Sequence, residues 1–294
     1  MNKEYTGREI AIFTDVHGLH IPLKAALEDI KRRGILEIYS LGDNIGVGPE
    51  SGKVIDLLEE FGVKSIAGNT EDYFNLGYEA FSYFKKYPYK ADMYDWTRSQ
   101  LDQRQLGIIE AYPRFYELIV GGEKIALCHF ANDVRCDYTL YSTWSYQKNF
   151  SSGNAWHQFL YTNSDAQKER IYNEIKRLGE DNPAVKGFIS ARDEPLFDGK
   201  SVDSYDHIFQ GHVHFRMYEE GGKTKFHTIR GLGIAYDINE PIDCAHYVVL
   251  KEKTDNHGFD VEKVLVKFDR RSMECSIQSS NGDMDEIEQF TSRR

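Results

Sequence analysis

Apolar and polar positions alternate along the first seventy residues in two different rhythms. Ile10 to Phe13 is a short apolar run that stops at Thr14-Asp15, and it reads as a strand. From Ile21 to Ile30 the spacing becomes helical, with Leu23, Ala26, Leu27 and Ile30 on one face. The strand signal returns at Ile35 to Leu41 and stops at Gly42-Asp43. Val54 to Phe61 then reads as a helix, and Val63 to Ala67 as a third strand that stops at Gly68-Asn69. This alternation predicts a parallel, right-handed layered sheet whose loops gather at one edge. Residues placed after the first three strands would then share one crevice.

The rhythm changes after Tyr73. Helical spacing dominates to Tyr112, with an amphipathic segment from Ala91 to Ile109. Phe115 to Val120 and Lys124 to Cys128 flank Gly121-Gly122 and predict a hairpin, so the sheet turns antiparallel there. Ala131 to Ser204 is the least regular region. Its one helix runs from Ser164 through Leu178, with Ser164 and Gln167 spaced as a capping box. Ile208-Phe209 resumes a buried strand, and β segments follow at Phe215 to Tyr218, Lys225 to Ile229, Ala245 to Leu250 and Phe259 to Lys267. The pattern predicts one domain over residues 1–275, with cap-like insertions at about 73–112 and 131–204, and a polar, frayed tail over 276–294.

Composition narrows the function classes. A chain of 294 residues, 40% hydrophobic and 28% charged, can build a substantial core and is not disordered overall. The formal charge of −11 argues against a binder of long nucleic acid, since no basic excess meets phosphate. Cys128, Cys136, Cys244 and Cys275 show neither a C-x-x-C spacing nor a disulfide-dense pattern, which predicts reduced thiols in a cytoplasmic protein. No run of 18 apolar residues occurs, so neither export nor membrane spanning is expected.

Candidate chemistry sits where the apolar runs end. Asp15 and His17 stand in FTDVHG, Asp43 in LGDNIGVGP, Asn69 in AGNTED, His129 in IALCHF, and His212 and His214 in QGHVH. Each piece alone is weak, because D-x-H and G-N are common and a lone strand-end histidine is usually structural. Their joint order at strand-to-loop junctions is informative, and the alternation in G-H-x-H points both imidazoles to one side of an extended segment. Oxygen and imidazole ligands delivered in this way can build a two-metal hydrolytic centre, in which one carboxylate bridges the ions and water is activated between them. Rival signatures are missing. G-x-S-x-G is absent, and no Lys-Ser/Thr pair follows Gly18, Gly42, Gly46, Gly48 or Gly68 to make a phosphate-binding P-loop.

These elements, D-x-H, G-D-x-x-G-x-G-P, G-N, a strand-end His and G-H-x-H, resemble in content and order the calcineurin-like metallophosphoesterases. The resemblance extends from Asp15 to His214. TDVHG, LGDNIGVGP and AGNTED look most like the predicted-phosphodiesterase branch, which also includes asymmetrical dinucleoside tetraphosphate hydrolases. It implies an α/β fold, a layered sandwich of two mixed β-sheets flanked by helices with an inserted cap. It further implies that Asp15, His17 and His214 take one ion, that Asn69, His129 and His212 take the other, and that Asp43 bridges them. Four imidazoles among the ligands favour Mn²⁺, Fe or Zn²⁺ over Mg²⁺ alone.

Three departures from the family pattern bear on substrate contacts. Thr70 stands where many members place a histidine that assists leaving-group protonation, Phe130 replaces a glycine after His129, and Gly231-Leu232-Gly233 replaces a G-S-x-G. His20 and Glu71 are the substitutes considered for the missing acid, although Glu71 also fits as a helix cap and His20 as a solvated side chain. Arg230, just before the glycine turn, is the first choice for a phosphate clamp, with a salt bridge as its rival. Tyr138, Tyr141, Trp144, Tyr146, Phe150, Trp156 and Phe159 could stack a nucleobase, with Arg135 and Lys148 meeting phosphate, or could form the cap's own small core. The resulting expectation is a metal-dependent phosphoric ester hydrolase acting on a small phosphorylated molecule, a phosphodiester or nucleotide. Asymmetrical diadenosine tetraphosphate hydrolysis and phosphomonoester hydrolysis are its narrower alternatives, and a non-catalytic, metal-bound scaffold is the contrasting class.

Overall fold

In the computed structural model, which describes residues 7–76, 89–129, 204–212, 214, 217–221, 224–233, 241–253 and 258–280, the first apolar run is strand β1 (Glu9–Phe13) at the centre of a sheet. Both of its faces are covered. Ile10 and Ile12 enter one apolar cluster while Ala11 and Phe13 enter another, which is why the strand is apolar throughout instead of alternating. The helices α1 (His20–Arg33) and α2 (Ser51–Glu60) bury Leu23, Ala26, Leu27 and Ile30, and Val54, Ile55 and Leu58, against the second of these clusters.

Strands β2 (Glu37–Ser40) and β3 (Lys64–Ser65) continue the sheet in parallel with β1, and β9 (Cys244–Glu252) and β10 (Phe259–Lys267) extend its other side antiparallel. The order is β10-β9-β1-β2-β3. A second sheet has the order β4-β5-β6-β8-β7, built from β4 (Phe115–Val120), β5 (Glu123–Cys128), β6 (His207–Gln210), β7 (Met217–Gly221) and β8 (Thr224–Thr228). Here β5, β6 and β8 run parallel, with an antiparallel strand at each edge. Ile10, Ile12, Val248 and Leu250 of the first sheet meet Val120, Ile125, Leu127 and Phe209 of the second in one buried cluster. Two mixed sheets therefore pack face to face, with helices on the outer face of the first.

Three details differ from the sequence pattern. The third strand shrinks to Lys64–Ser65, because only Tyr39 and Ser40 of β2 pair with it. The amphipathic stretch from Ala91 to Ile109 is broken into α4 (Tyr89–Ser99) and α5 (Gln103–Glu110). Asp102 starts the second helix by accepting from the Gln105 N–H at 2.8 Å, while Gln105 reaches back to the Asp102 N–H at 3.0 Å. Helix α6 (Arg270–Gln278) enters what the sequence suggested was a frayed tail, and it buries Met273 and Ile277. The helix expected at Ser164 to Leu178, and the rest of 131–203, lie outside the described residues.

Candidate metal centre

The strands set up the site through where they end. The loop after β1 carries Asp15 and His17, the loop after β2 carries Asp43, and α3 (Asn69–Leu76) begins at Asn69 just beyond β3. From the second sheet, β5 ends at Cys128 before His129, and β6 ends at Gln210 before His212 and His214. Backbone bonds stitch these loops together. The Asp15, His17 and Gly18 N–H groups donate to the carbonyls of Gly42, Asp43 and Asn44, and the Gly211 N–H donates to the His129 carbonyl.

Two groups of donor atoms result. Asp15, His17, Asp43 and His214 can each offer one atom within 4.8 Å of the others, and so can Asp43, His129 and His212. Asn69 Oδ1 lies 3.0 Å from His129 Nε2 and 3.1 Å from His212 Nδ1, so it belongs with the second group. Asp43 is common to both groups, with Oδ2 3.7 Å from His17 Nε2 and 3.4 Å from His129 Nε2. All seven side chains named from the sequence are thus brought to one place.

The backbone there is held in an unusual shape. Asp15, His17, Asp43, His212 and His214 all have φ between 50° and 72°, in the left-handed region that non-glycine residues seldom enter. Each such residue costs on the order of 1–3 kcal/mol, and the loop-to-loop hydrogen bonds are what over-determine the conformation. Glycine is required where loops approach most closely. A Cβ on Gly211 would lie 2.5 Å from Asp15 Oδ2, and one on Gly68 would lie 2.5 Å from the Asp43 nitrogen. This explains why both ligand-bearing turns begin G-N and G-H.

Each carboxylate has one oxygen occupied by the protein and the other turned to the imidazoles. Asp15 Oδ2 accepts from Thr14 Oγ1 at 2.7 Å and from the His212 N–H at 2.9 Å. Its Oδ1 is fully buried and faces His214 Nε2 at 3.1 Å. Asp43 Oδ1 accepts from the Thr70 N–H at 2.8 Å and from Thr70 Oγ1 at 3.1 Å, leaving Oδ2 toward His17 and His129. The histidines are similarly oriented. His129 Nδ1 donates to the Leu41 carbonyl at 2.8 Å, so in the neutral ring Nε2 carries the lone pair toward Asn69 and His212.

Electrostatics favour the forms that bind cations. Burial pushes the Asp15 carboxyl up, but the nearby His214 imidazole outweighs it and leaves the pKa at about 2. Asp43 is lowered further, because the His129 and His17 rings overcome the same burial penalty. Burial lowers His17 to about 4 and His212 to about 3, against the opposing pull of Asp43, so both rings are neutral at pH 7. His17 Nε2 and His214 Nε2 stand 2.9 Å apart, within reach of a shared proton or a shared cation. Two carboxylates, four imidazoles and an amide oxygen, with donor atoms converging in a largely buried space, fit divalent transition metals.

His20, Arg230 and Glu71 each make contacts with other parts of the chain. His20 opens α1, where its Nδ1 lies 3.7 Å from Glu50 Oε2, and burial holds its imidazole below the ordinary pKa. Arg230 is fully buried, and its Nη2 donates to the carbonyls of Pro241 and Cys244 at 3.2 and 3.4 Å. Those two bonds tie the guanidinium to the turn into β9. Glu71 is also fully buried, and both its oxygens accept from backbone N–H groups. Burial and then the charge of Asp43 raise its carboxyl to about 7, while the N–H donors of Gly68 and Asn44 pull it back. Thr14 and Thr70 were not singled out as anchors for the carboxylates, although a hydroxyl residue next to each ligand was visible in TDVHG and GNTED. The aromatic cluster from Tyr138 to Phe159, with Arg135 and Lys148, lies outside the described residues.

Comparison with known proteins agrees with this geometry. Over 120 residues the chain is 34% identical to an uncharacterized protein of Methanocaldococcus jannaschii, a match covering 41% of this chain and 48% of that protein. The chain thus spans about half the length of the curated relative it matches. Among solved structures, a hypothetical protein from Pyrococcus horikoshii superposes with a TM-score of 0.63 at 14% identity, covering 96% of this chain and 97% of that one. A metallophosphoesterase from Sphaerobacter thermophilus gives a TM-score of 0.55 at 17% identity, covering 96% and 98% of the two chains. At those identities the two structures establish a shared fold. Residues 8–216, which carry every donor from Asp15 to His214, match the calcineurin-like phosphoesterase family, and the chain belongs to that family of metal-dependent phosphoesterases.

Proposed function

We propose that this protein hydrolyses a small phosphate ester, a phosphodiester or nucleotide, at a pair of divalent metal ions. Asp15, His17 and His214 would hold one ion, Asn69, His129 and His212 the other, and Asp43 Oδ2 would lie between them. The observation that carries this reading is the shared position of Asp43, whose Oδ1 is tied to Thr70 while Oδ2 faces both groups of donors. The donor set suits Mn²⁺, Fe or Zn²⁺. Such a pair supplies Lewis acidity to the phosphoryl oxygens and lowers the pKa of water.

The chain's own residues do the positioning. Thr14 and the His212 N–H fix the Asp15 carboxylate, the Leu41 carbonyl fixes the His129 ring, and Thr70 fixes Asp43. Because the Thr70 hydroxyl donates to Asp43, the position after Asn69 holds no side-chain acid for the leaving group. Esters whose leaving groups need no proton are therefore the better substrates. The negative charge of −11 also supports a small substrate over long nucleic acid.

The test is hydrolysis of bis-p-nitrophenyl phosphate and p-nitrophenyl phosphate with added Mn²⁺, with Asp43→Asn as control. Turnover that requires Mn²⁺ and disappears in the variant is expected, and the ratio of the two substrates separates diesterase from monoesterase. Turnover no higher than that of Asp43→Asn on either ester would reject the hydrolase reading in favour of a metal-bound scaffold.

A further inference from the structure

Glu71 occupies a place that a helix cap alone does not account for. It lies three residues after Gly68 in the first turn of α3, and its Oε2 accepts from the Gly68 N–H at 2.8 Å, as a carboxylate at that position of a helix commonly does. The same oxygen also accepts from the Asp43 N–H at 2.9 Å, and Oε1 accepts from the Asn44 N–H at 2.8 Å. Two of these three bonds leave the helix and end on the loop after β2, 27 and 28 residues earlier in sequence. The side chain is fully buried, so no water competes for these bonds.

The consequence is geometric. One donor belongs to Asp43 itself, in its left-handed conformation, and another to Gly68, the residue before Asn69. Thr70, next to Glu71, ties the Asp43 side chain to the same helix turn through its N–H and its hydroxyl. We infer that Glu71 is a positioning residue that locks the bridging Asp43 loop to the Asn69 turn and so sets the second metal position relative to the first. Asp15, His17 and His214 receive none of its bonds, so their half of the site meets Glu71 only indirectly, through the Asp43 loop. The inference rests on the two-metal reading. A glutamine would keep the size but present one acceptor oxygen and an NH₂ group, and the latter would face a backbone donor.

The experiment is a Mn²⁺ titration of the full chain, wild type against Glu71→Gln, followed by electron paramagnetic resonance, with thermal melting of the metal-free proteins alongside. Wild type should bind two ions and develop the spectrum of a spin-coupled pair. Glu71→Gln should bind the first ion as wild type does and the second about 10- to 100-fold more weakly, leaving an uncoupled six-line signal at one equivalent per chain. If Glu71→Gln does not fold, Glu71→Asp carries the same expectation, since it keeps the charge but is one methylene too short to reach both loops. Two ions bound with wild-type affinity and a coupled spectrum in a folded variant would overturn the inference while leaving the two-metal reading intact. A wild-type protein that never takes up a second ion would instead overturn the two-metal reading itself.

Discussion

The two halves of the donor cage are held by different means. Asp15, His17 and His214 all sit in left-handed backbone on loops, and their geometry depends on loop-to-loop hydrogen bonds such as His17 N–H to the Asp43 carbonyl. In the other half, Asn69 is the first residue of α3 and His129 directly follows β5, with its ring anchored to the Leu41 carbonyl, so only His212 is left-handed. Asp43 joins them, strained in its backbone like the first half and clamped by Thr70 and Glu71 from the second. One half thus stores conformational strain that ligand binding must hold, while the other is pre-formed by regular elements and side-chain anchors.

Removing what the halves share should have the largest effect. Asp43→Asn should lower turnover by more than about 10³-fold and abolish pairing of the ions, measured by ester hydrolysis and metal content. Next in size is the removal of metal. Chelation should lower the melting temperature, and resupplying Mn²⁺ at a hundredfold excess over its dissociation constant should restore about 2.7 kcal/mol per site by mass action, read by calorimetry. An unchanged melting temperature would mean that the strained loops stand without ions.

Smaller changes sharpen the contrast between the halves. Thr14→Val removes the hydroxyl that occupies Asp15 Oδ2 and should weaken one ion about 10- to 100-fold while sparing the other, as two-phase Mn²⁺ titration would show. The smallest effect is expected far from the cage. Tyr247→Phe deletes a 2.6 Å bond from β9 to Asp29 on α1 and should cost about 1 kcal/mol in urea denaturation without altering metal content. Although burial opposes it, Tyr247 and Arg32 hold the Asp29 carboxyl below its ordinary value. A carboxylate lowered by folding stabilises above its unfolded pKa, so the difference between wild type and Tyr247→Phe should be full at neutral pH and shrink as acid protonates Asp29.

Much of this was legible in the sequence because local periodicity and strand-end chemistry are local signals. Ile10 to Phe13, Lys124 to Cys128 and Ile208-Phe209 announced strands, and the residue that closes each run announced where a loop would carry its side chain. Convergence of the seven donors followed from topology. Less visible were features that depend on partners distant in sequence. Arg230 looked available beside a glycine turn, yet the carbonyls it meets belong to Pro241 and Cys244. Glu71 looked like a cap, and its bonds to Asp43 and Asn44 needed the β2 loop to be placed beside α3. Helix α6 was missed because its apolar face is thin, with Met273 and Ile277 buried among polar neighbours. The split between α4 and α5 was hidden because the Asp102 and Gln105 box interrupts an otherwise continuous apolar spacing.

The most direct test of the two-metal centre is the metal content of the full chain after Mn²⁺ reconstitution and removal of free ions, measured side by side for wild type and Asp43→Asn. Two ions per wild-type chain, with the pair lost when the shared carboxylate is replaced, is the expected result. One ion or none in wild type, or two ions retained by Asp43→Asn, would contradict the account.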